Sequence, residues 1–210
     1  MLDKWALRQL AKPTQWSAQQ LAKTQLTANQ VTLFGFGCGL SAAAFVAINQ
    51  YPLALLLLLL NRICDGLDGA LARLKGSTSA GAYLDICCDF IFYSAMVVGF
   101  AFVDPLNNAL IACVLILSFM TTGSTFLAFA ILAEKHQLTK LHYPNKGFYY
   151  LGGITEGTET IVFLVLCCLL PEYFYPLALI FASLCFMTGF IRLYSGYLTL
   201  KPLASSTSVS

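Results

Sequence analysis

The sequence predicts an all-α polytopic membrane protein: six transmembrane helices preceded by an amphipathic helix in the membrane interface. Composition, apolar segmentation and the placement of basic residues carry that expectation. Of 210 residues, 58% are hydrophobic and only 10% charged, with a mean hydropathy of +0.74, whereas a soluble domain carries roughly 25% charged residues. A hydrocarbon core of about 30 Å needs about 20 apolar residues per helix. The chain therefore has room for six spans and none for a separate soluble domain. One membrane domain is expected over 1–203, followed by a disordered small, polar tail at 204–210.

The spans are read at about 31–49, 53–74, 80–103, 109–133, 148–170 and 174–198. The linkers Gln50-Tyr51-Pro52, 104–108 and Pro171-Glu172 lack lysine and arginine. The basic loop residues fall on the other side: Lys4, Arg8, Lys12 and Lys23 before the first span, Lys75 after the second, Lys135, Lys140 and Lys146 after the fourth, and Lys201 after the sixth. By the positive-inside rule both termini face the cytoplasm, which for a bacterial chain means the inner membrane. Residues 1–24 contain no long apolar run, so they are neither a secretory signal nor a span. Leu2, Ala6 and Leu10 beside Trp5, with Lys4, Arg8 and Lys12 as a basic stripe, suit a helix lying in the interface. Pro13 is expected to end or kink it.

A net charge of +2 gives no case for a nucleic-acid partner, and the eight cysteines lie in or beside apolar segments, where they read as small hydrophobes. Tyr149, Tyr150, Tyr173, Phe174 and Tyr175 near span ends read as interfacial belt residues. His136 and His142 read as solvated loop residues.

The costly feature is four aspartates inside the second and third spans: Asp65, Asp68, Asp85 and Asp89. Asp65 and Asp68 stand three apart and Asp85 and Asp89 four apart, so each pair projects from one helix face. If the two helices fold back side by side about residue 77, Asp65 faces Asp89 and Asp68 faces Asp85. With a rise of about 1.5 Å per residue, Asp68 and Asp65 then lie about 9 Å and about 13 Å inside the helix end near Leu74. Four clustered carboxylates cannot all stay ionised without positive charge among them. Oxygen-only ligands, with no histidine in the spans, favour Mg²⁺ or Mn²⁺ over Zn²⁺. Two bridged ions suit phosphoryl displacement, in which charge builds on attacking and leaving oxygens. Gly69, Ala72 and Gly81 extend the acidic stripes with residues small enough for a phosphate to approach, or for helices to pack. Arg73 is placed to reach a diphosphate or to anchor the interface. A competing class, a divalent-cation transporter, also uses intramembrane carboxylates. The outward halves of the spans, however, offer no acidic or basic relay.

The string Asp65-x-x-Asp68-Gly69-x-x-Ala72-Arg73, seven residues, Gly81-x-x-x-Asp85-x-x-x-Asp89 resembles the signature of the CDP-alcohol phosphotransferase family, eight fixed identities in register. The resemblance covers nearly the whole chain and is similar to a phosphatidylglycerophosphate synthase-like bacterial branch of unknown acceptor. The spacer is one residue shorter than in some members. The resemblance implies a membrane phosphatidyltransferase of phospholipid synthesis. Its donor would be a CDP-alcohol, usually CDP-diacylglycerol. An acceptor hydroxyl attacks the β-phosphorus and CMP leaves. It implies Asp65, Asp68 and Asp85 as metal ligands, and Asp89 as general base that also touches a metal. Gly69, Ala72 and Arg73 would hold nucleotide and diphosphate, with Ser79 a further candidate. Asn29-Gln30-Val31-Thr32 resembles the family's P-N-x-x-T segment with Ala28 in place of proline. Asn29 and Thr32 are thereby donor contacts, or alternatively a cap for the first span.

For the small polar alcohol acceptor the candidates are Lys146 and Arg192, a cationic pair fit for a phosphate such as that of glycerol 3-phosphate, with Glu156 and Glu159 nearby. The alternative is that Arg192 pairs with either glutamate. Inositol-phosphate-using members carry arginines where this chain has Gly157 and Thr158, which argues against that acceptor. The family is often homodimeric.

Overall fold

The computed structural model describes residues 14–136 and 153–206, and among them all regular structure is helical. A short helix, α1, spans 14–22. It is followed by α2 (Ala28–Ala47), α3 (Tyr51–Lys75), α4 (Ser79–Val103), α5 (Pro105–Lys135), α6 (Gly157–Leu169), a 3₁₀ turn (Pro171–Tyr173) and α7 (Phe174–Ser206). The basic stripe around Leu2 to Lys12, Pro13 and Lys146 lie outside the described residues.

Local chemistry sets the helix ends. Thr27 and Gln30 form a capping box at the start of α2: the Thr27 hydroxyl accepts from the Gln30 N–H at 3.3 Å and the Gln30 side chain accepts from the Thr27 N–H at 2.9 Å. Asn29 and Thr32 are thus released from capping. α3 ends at Gly76, whose φ of +103° is one that side-chain-bearing residues rarely adopt. Thr78 then caps α4 through the Gly81 N–H at 3.0 Å. At the opposite end of α4, Asp104 opens α5. The Asn107 side chain and N–H both donate to its carboxylate, at 2.6 and 3.3 Å, and hold its pKa below the usual carboxylate value.

Three expectations are refined or change. The first is the six-span count, of which the described residues show a part. Four helices, α2, α4, α5 and the 171–202 stretch, are long and apolar enough to cross a bilayer among the described residues. At 25 residues α3 has the length, but Arg62, Asp65, Asp68, Arg73 and Lys75 remove it from the apolar class. α6 has 13 residues, about 20 Å, because residues 153–156 are not helical and Glu159 caps the Glu156 N–H at 3.1 Å. Hydropathy alone cannot see a cap. Second, the tail expected to be structureless from Ala204 is helical to Ser206, α7 continuing through Pro202. Third, α3 and α4 do not lie side by side. Each packs its backbone extensively along α2 rather than along the other, and the two meet through their side chains.

The small residues of α2 explain that third difference. A Cβ on Gly35 would stand 2.6 Å from the Cys64 Cβ of α3, and one on Gly39 would stand 2.6 Å from Phe92 of α4. Lipid is as apolar as leucine, so helices in a bilayer associate through close packing rather than through the hydrophobic effect. Small residues four apart on one face of α2 let both α3 and α4 approach it closely. Their polar faces then meet across the gap. The apolar interior, with Val46, Leu58, Phe92, Met96, Phe100, Leu115, Phe163 and Phe174, fills the rest of the bundle, and stacked pairs such as Phe100–Phe174 at 4.7 Å tie α4 to α7.

Gly99 of α4 tests this packing. A Cβ there would lie 2.6 Å from the Ala43 carbonyl oxygen, a backbone atom that cannot swing aside. Gly99→Ala is expected to cost about 1–3 kcal/mol through overpacking, read as a drop of several degrees in the melting temperature in detergent. Gly37→Ala, with open space around the added methyl, is expected to leave it unchanged.

Candidate active site

Folding the chain about Gly76 brings the acidic faces of α3 and α4 together above α2. One ligand oxygen from each of Asp65, Asp68 and Asp85 lies within 4.8 Å of the others. Two oxygens on opposite sides of a Mg²⁺ bound at about 2.1 Å are about 4.2 Å apart, so the three carboxylates fit a hard divalent ion. Asp68 is buried, and the Thr32 hydroxyl of α2 donates to its Oδ2 at 2.5 Å. That bond fixes the carboxylate from below.

Asp89 lines the same small pocket as the other three aspartates, and other side chains engage both of its oxygens. Arg62 Nη2 donates to its Oδ1 at 2.7 Å and the Tyr93 hydroxyl donates to its Oδ2 at 3.2 Å. Sequence reasoning missed Arg62, although a cation three residues before Asp65 inside an apolar helix was itself a signal. Beyond Arg62 the buried residues of α4 are apolar: Phe92, Met96, Val97 and Phe100.

On its other side the acid pocket adjoins a cavity of about 490 Å³ lined by Thr27, Ala28, Asn29, Thr32, Asp68, Gly69, Ala72, Arg73, Lys75, Gly76, Ser77, Thr78, Gly81, Ala82 and Asp85. Thr32, Asp68 and Asp85 border both spaces. Asn29, Gly69, Ala72 and Arg73 all lie on the cavity wall, whereas Ser79 is outside it and Ser77 and Thr78 take that part of the lining. Thr78 is turned inward by its capping role, and Ser79, the first residue of α4, is not. The Lys75 ammonium donates to the carbonyls of Thr24 and Leu26, both at 2.8 Å, tying the end of α3 to the segment before α2.

Arg192 lies elsewhere. On α7 it is buried, donates to the Thr122 carbonyl of α5 at 3.4 Å, stands 5.6 Å from the Phe126 ring, and has Glu156 within electrostatic reach. Glu156 and Glu159 are engaged at the start of α6, where Glu156 also accepts from the Gly153 N–H at 3.2 Å. Thr188 of α7 accepts from the N–H groups of Ile154 and Thr155 at 3.1 and 3.2 Å, which docks this segment beside Arg192.

A profile of CDP-alcohol phosphatidyltransferases matches residues 25–191, a stretch that takes in the whole acid pocket and its cavity. The chain belongs to the CDP-alcohol phosphatidyltransferase family. It is accordingly an enzyme, a transferase of phospholipid biosynthesis, in a family that depends on divalent metal. Inner membrane protein YnjF of Escherichia coli is 49% identical over 97% of this chain and 98% of its own. Together with the long apolar helices, that likeness makes the protein integral to the inner membrane. Archaetidylinositol phosphate synthase of Pyrococcus horikoshii is 33% identical over 43% of this chain and 48% of its own. Among solved structures, phosphatidylinositol phosphate synthase of Mycobacterium tuberculosis with CDP-DAG bound has the same fold, with a TM-score of 0.65 at 20% identity, covering 88% of this chain and 93% of the other. The same mycobacterial enzyme in complex with manganese and citrate superposes with a TM-score of 0.65, also at 20% identity, over 88% of each chain.

Proposed function

We propose that this phosphatidyltransferase moves a phosphatidyl group from CDP-diacylglycerol to a hydroxyl of a small polar alcohol, glycerol 3-phosphate foremost, and releases CMP. The observation that carries the reading is the junction at Asp68, Thr32 and Asp85. There a cleft large enough for a nucleotide diphosphate opens directly onto three converging carboxylates. Asp65, Asp68 and Asp85, with Asp89 also touching a metal, would hold two divalent ions, Mg²⁺ or Mn²⁺, which would supply charge stabilisation at the diphosphate. Asn29, Thr32, Gly69, Ala72 and Arg73 orient the donor, with Ser77 and Thr78 in the position assigned from sequence to Ser79. Asp89 accepts the proton of the acceptor hydroxyl as its oxygen bonds to the β-phosphorus. The bond from that phosphorus to the bridging oxygen breaks, and CMP leaves with the bridging oxygen. Arg192, with Lys146, is the proposed anion contact for the acceptor.

The basic loop residues gathered on one side support a site and both termini facing the cytoplasm, in a single membrane domain over 1–203, with a homodimer as the assembly that the family resemblance implies. An inositol phosphate acceptor is not proposed, because Gly157 and Thr158 stand where inositol-phosphate-using members have arginines. The test is CMP release from labelled CDP-diacylglycerol and Mg²⁺ by purified protein, with glycerol 3-phosphate, inositol, inositol phosphate, serine and diacylglycerol as acceptors. Release with glycerol 3-phosphate alone is the expected outcome. Release with inositol phosphate instead would overturn the acceptor, and no release with any of them would overturn the donor.

A further inference from the structure

Thr188 of α7 is fully buried and stands one helical turn before Arg192, so the two side chains leave α7 on the same face. Its hydroxyl accepts from the N–H groups of Ile154 and Thr155 at 3.1 and 3.2 Å, and it pairs with the Thr155 hydroxyl at 3.1 Å. The segment 153–156 that supplies those groups is not helical. It has no ladder of its own to satisfy its backbone, and a buried N–H left without an acceptor is costly. One side chain of α7 therefore fastens the entry to α6.

The fastened segment is part of the wall around Arg192. A Cβ on Gly153 would stand 3.1 Å from Arg192 Nη2 and would press on the Thr188 methyl. On the α5 side the same guanidinium donates to the Thr122 carbonyl at 3.4 Å and stands 5.6 Å from the Phe126 ring. Arg192 thus lies between α5 and a stretch of backbone whose place is set by Thr188. We infer that Thr188 is a positioning residue for the acceptor: it holds 153–156 against Arg192 and so fixes the guanidinium that receives the acceptor's phosphate. The inference rests on the reading of Arg192 as the anion contact for glycerol 3-phosphate. Without the Thr188 hydroxyl the two N–H groups turn to other acceptors and the segment shifts. A guanidinium that has lost one wall samples more orientations, and a phosphate binding to it must then order it. Affinity for the acceptor falls, while the donor cavity, lined by residues 27–32 and 68–85, is untouched.

The experiment measures CMP release by the full-length protein in detergent with Mg²⁺, varying glycerol 3-phosphate at saturating CDP-diacylglycerol and then the reverse. A KM change confined to one substrate marks binding lost at that substrate alone. Thr188→Val, close in shape but without the hydroxyl, is expected to raise the KM for glycerol 3-phosphate at least about fivefold and to leave that for CDP-diacylglycerol within about twofold. Thr188→Ser, which keeps the hydroxyl, should stay within about twofold for both. Gly153→Ala approaches the same contact from the other side and is expected to raise the acceptor KM at least about fivefold. Adding Thr188→Ser to it removes the methyl that the new Cβ meets, and should bring that KM back down at least about twofold. A Thr188→Val protein whose acceptor KM is unchanged, or whose two KM values rise together, overturns the inference. Should that variant fail to fold, the Gly153 pair carries the test, and a double variant no better than Gly153→Ala alone sinks it. Arg192→Gln separates the two failures. If it leaves the acceptor KM unchanged, the reading of Arg192 falls and this inference with it; if it raises that KM while Thr188→Val does not, the inference alone falls. Wild-type protein that turns over no glycerol 3-phosphate removes both.

Discussion

Asp68→Asn is expected to lower CMP release at least about a thousandfold while leaving the fold intact. Asn is nearly isosteric, and its carbonyl oxygen still accepts the hydrogen bond that Thr32 gives the wild-type carboxylate at 2.5 Å. What disappears is one of three charges that converge within 4.8 Å. The magnitudes separate two roles for this residue. If Asp68 served only as a hydrogen-bond partner of α2, the change would cost about 1 kcal/mol, less than a tenfold effect. A metal ion supplies several kcal/mol of charge stabilisation in a transition state, and each 1.36 kcal/mol lost is about a tenfold fall in rate. The measurement is turnover with the acceptor that the screen identifies, alongside Mn²⁺ affinity and melting temperature. Loss of turnover together with weaker Mn²⁺ binding and an unchanged melting temperature is the expected pattern. A loss below tenfold would leave Asp68 as a packing residue and remove the metal role.

The acids themselves were legible in sequence because charge inside an apolar helix is expensive enough to demand a reason, and helical spacing then put each pair on one face. Their arrangement was legible only in part. Reasoning from the turn at residue 77 expected α3 and α4 to pack on one another, whereas Gly35 and Gly39 let both pack closely on α2. A glycine stripe in an apolar stretch looks the same in hydropathy whether it faces lipid or two neighbours. Thr32 had two sequence readings, cap or ligand contact, and the Thr27–Gln30 box takes the capping role from it. The start of α6 escaped because its boundary is set by glutamate side chains that bond backbone N–H groups, and an averaged apolar window runs straight over them. Arg62 escaped differently: the spacing that picked out Asp65 and Asp68 also places Arg62 one turn away, but its partners Asp89 and Tyr93 belong to another helix. Pairings between helices depend on how each one packs on α2, and spacing along the chain carries no record of that.

Asp89→Asn is expected to reduce CMP release by about 10²–10⁴-fold, the range for loss of a general base, while CDP-diacylglycerol binding stays within about threefold of wild type. The two effects separate because of where the side chain sits. Asp89 lines the acid pocket but not the 490 Å³ cavity, whose walls carry the proposed donor contacts. Asn cannot take up a proton at neutral pH, yet its oxygen can still accept from Arg62. Removing one member of a fully buried ion pair costs about 3–5 kcal/mol. Here the side chains of Arg62 and Asp89 remain 16% and 30% exposed, and the retained hydrogen bond offsets part of the loss, so the stability penalty falls below that range. A melting temperature lowered by only a few degrees, with turnover lost and donor affinity kept, is the expected combination. Unchanged turnover would remove Asp89 as the base. Loss of donor binding together with turnover would instead make Asp89 a binding group, and the proton of the acceptor hydroxyl would then need another destination.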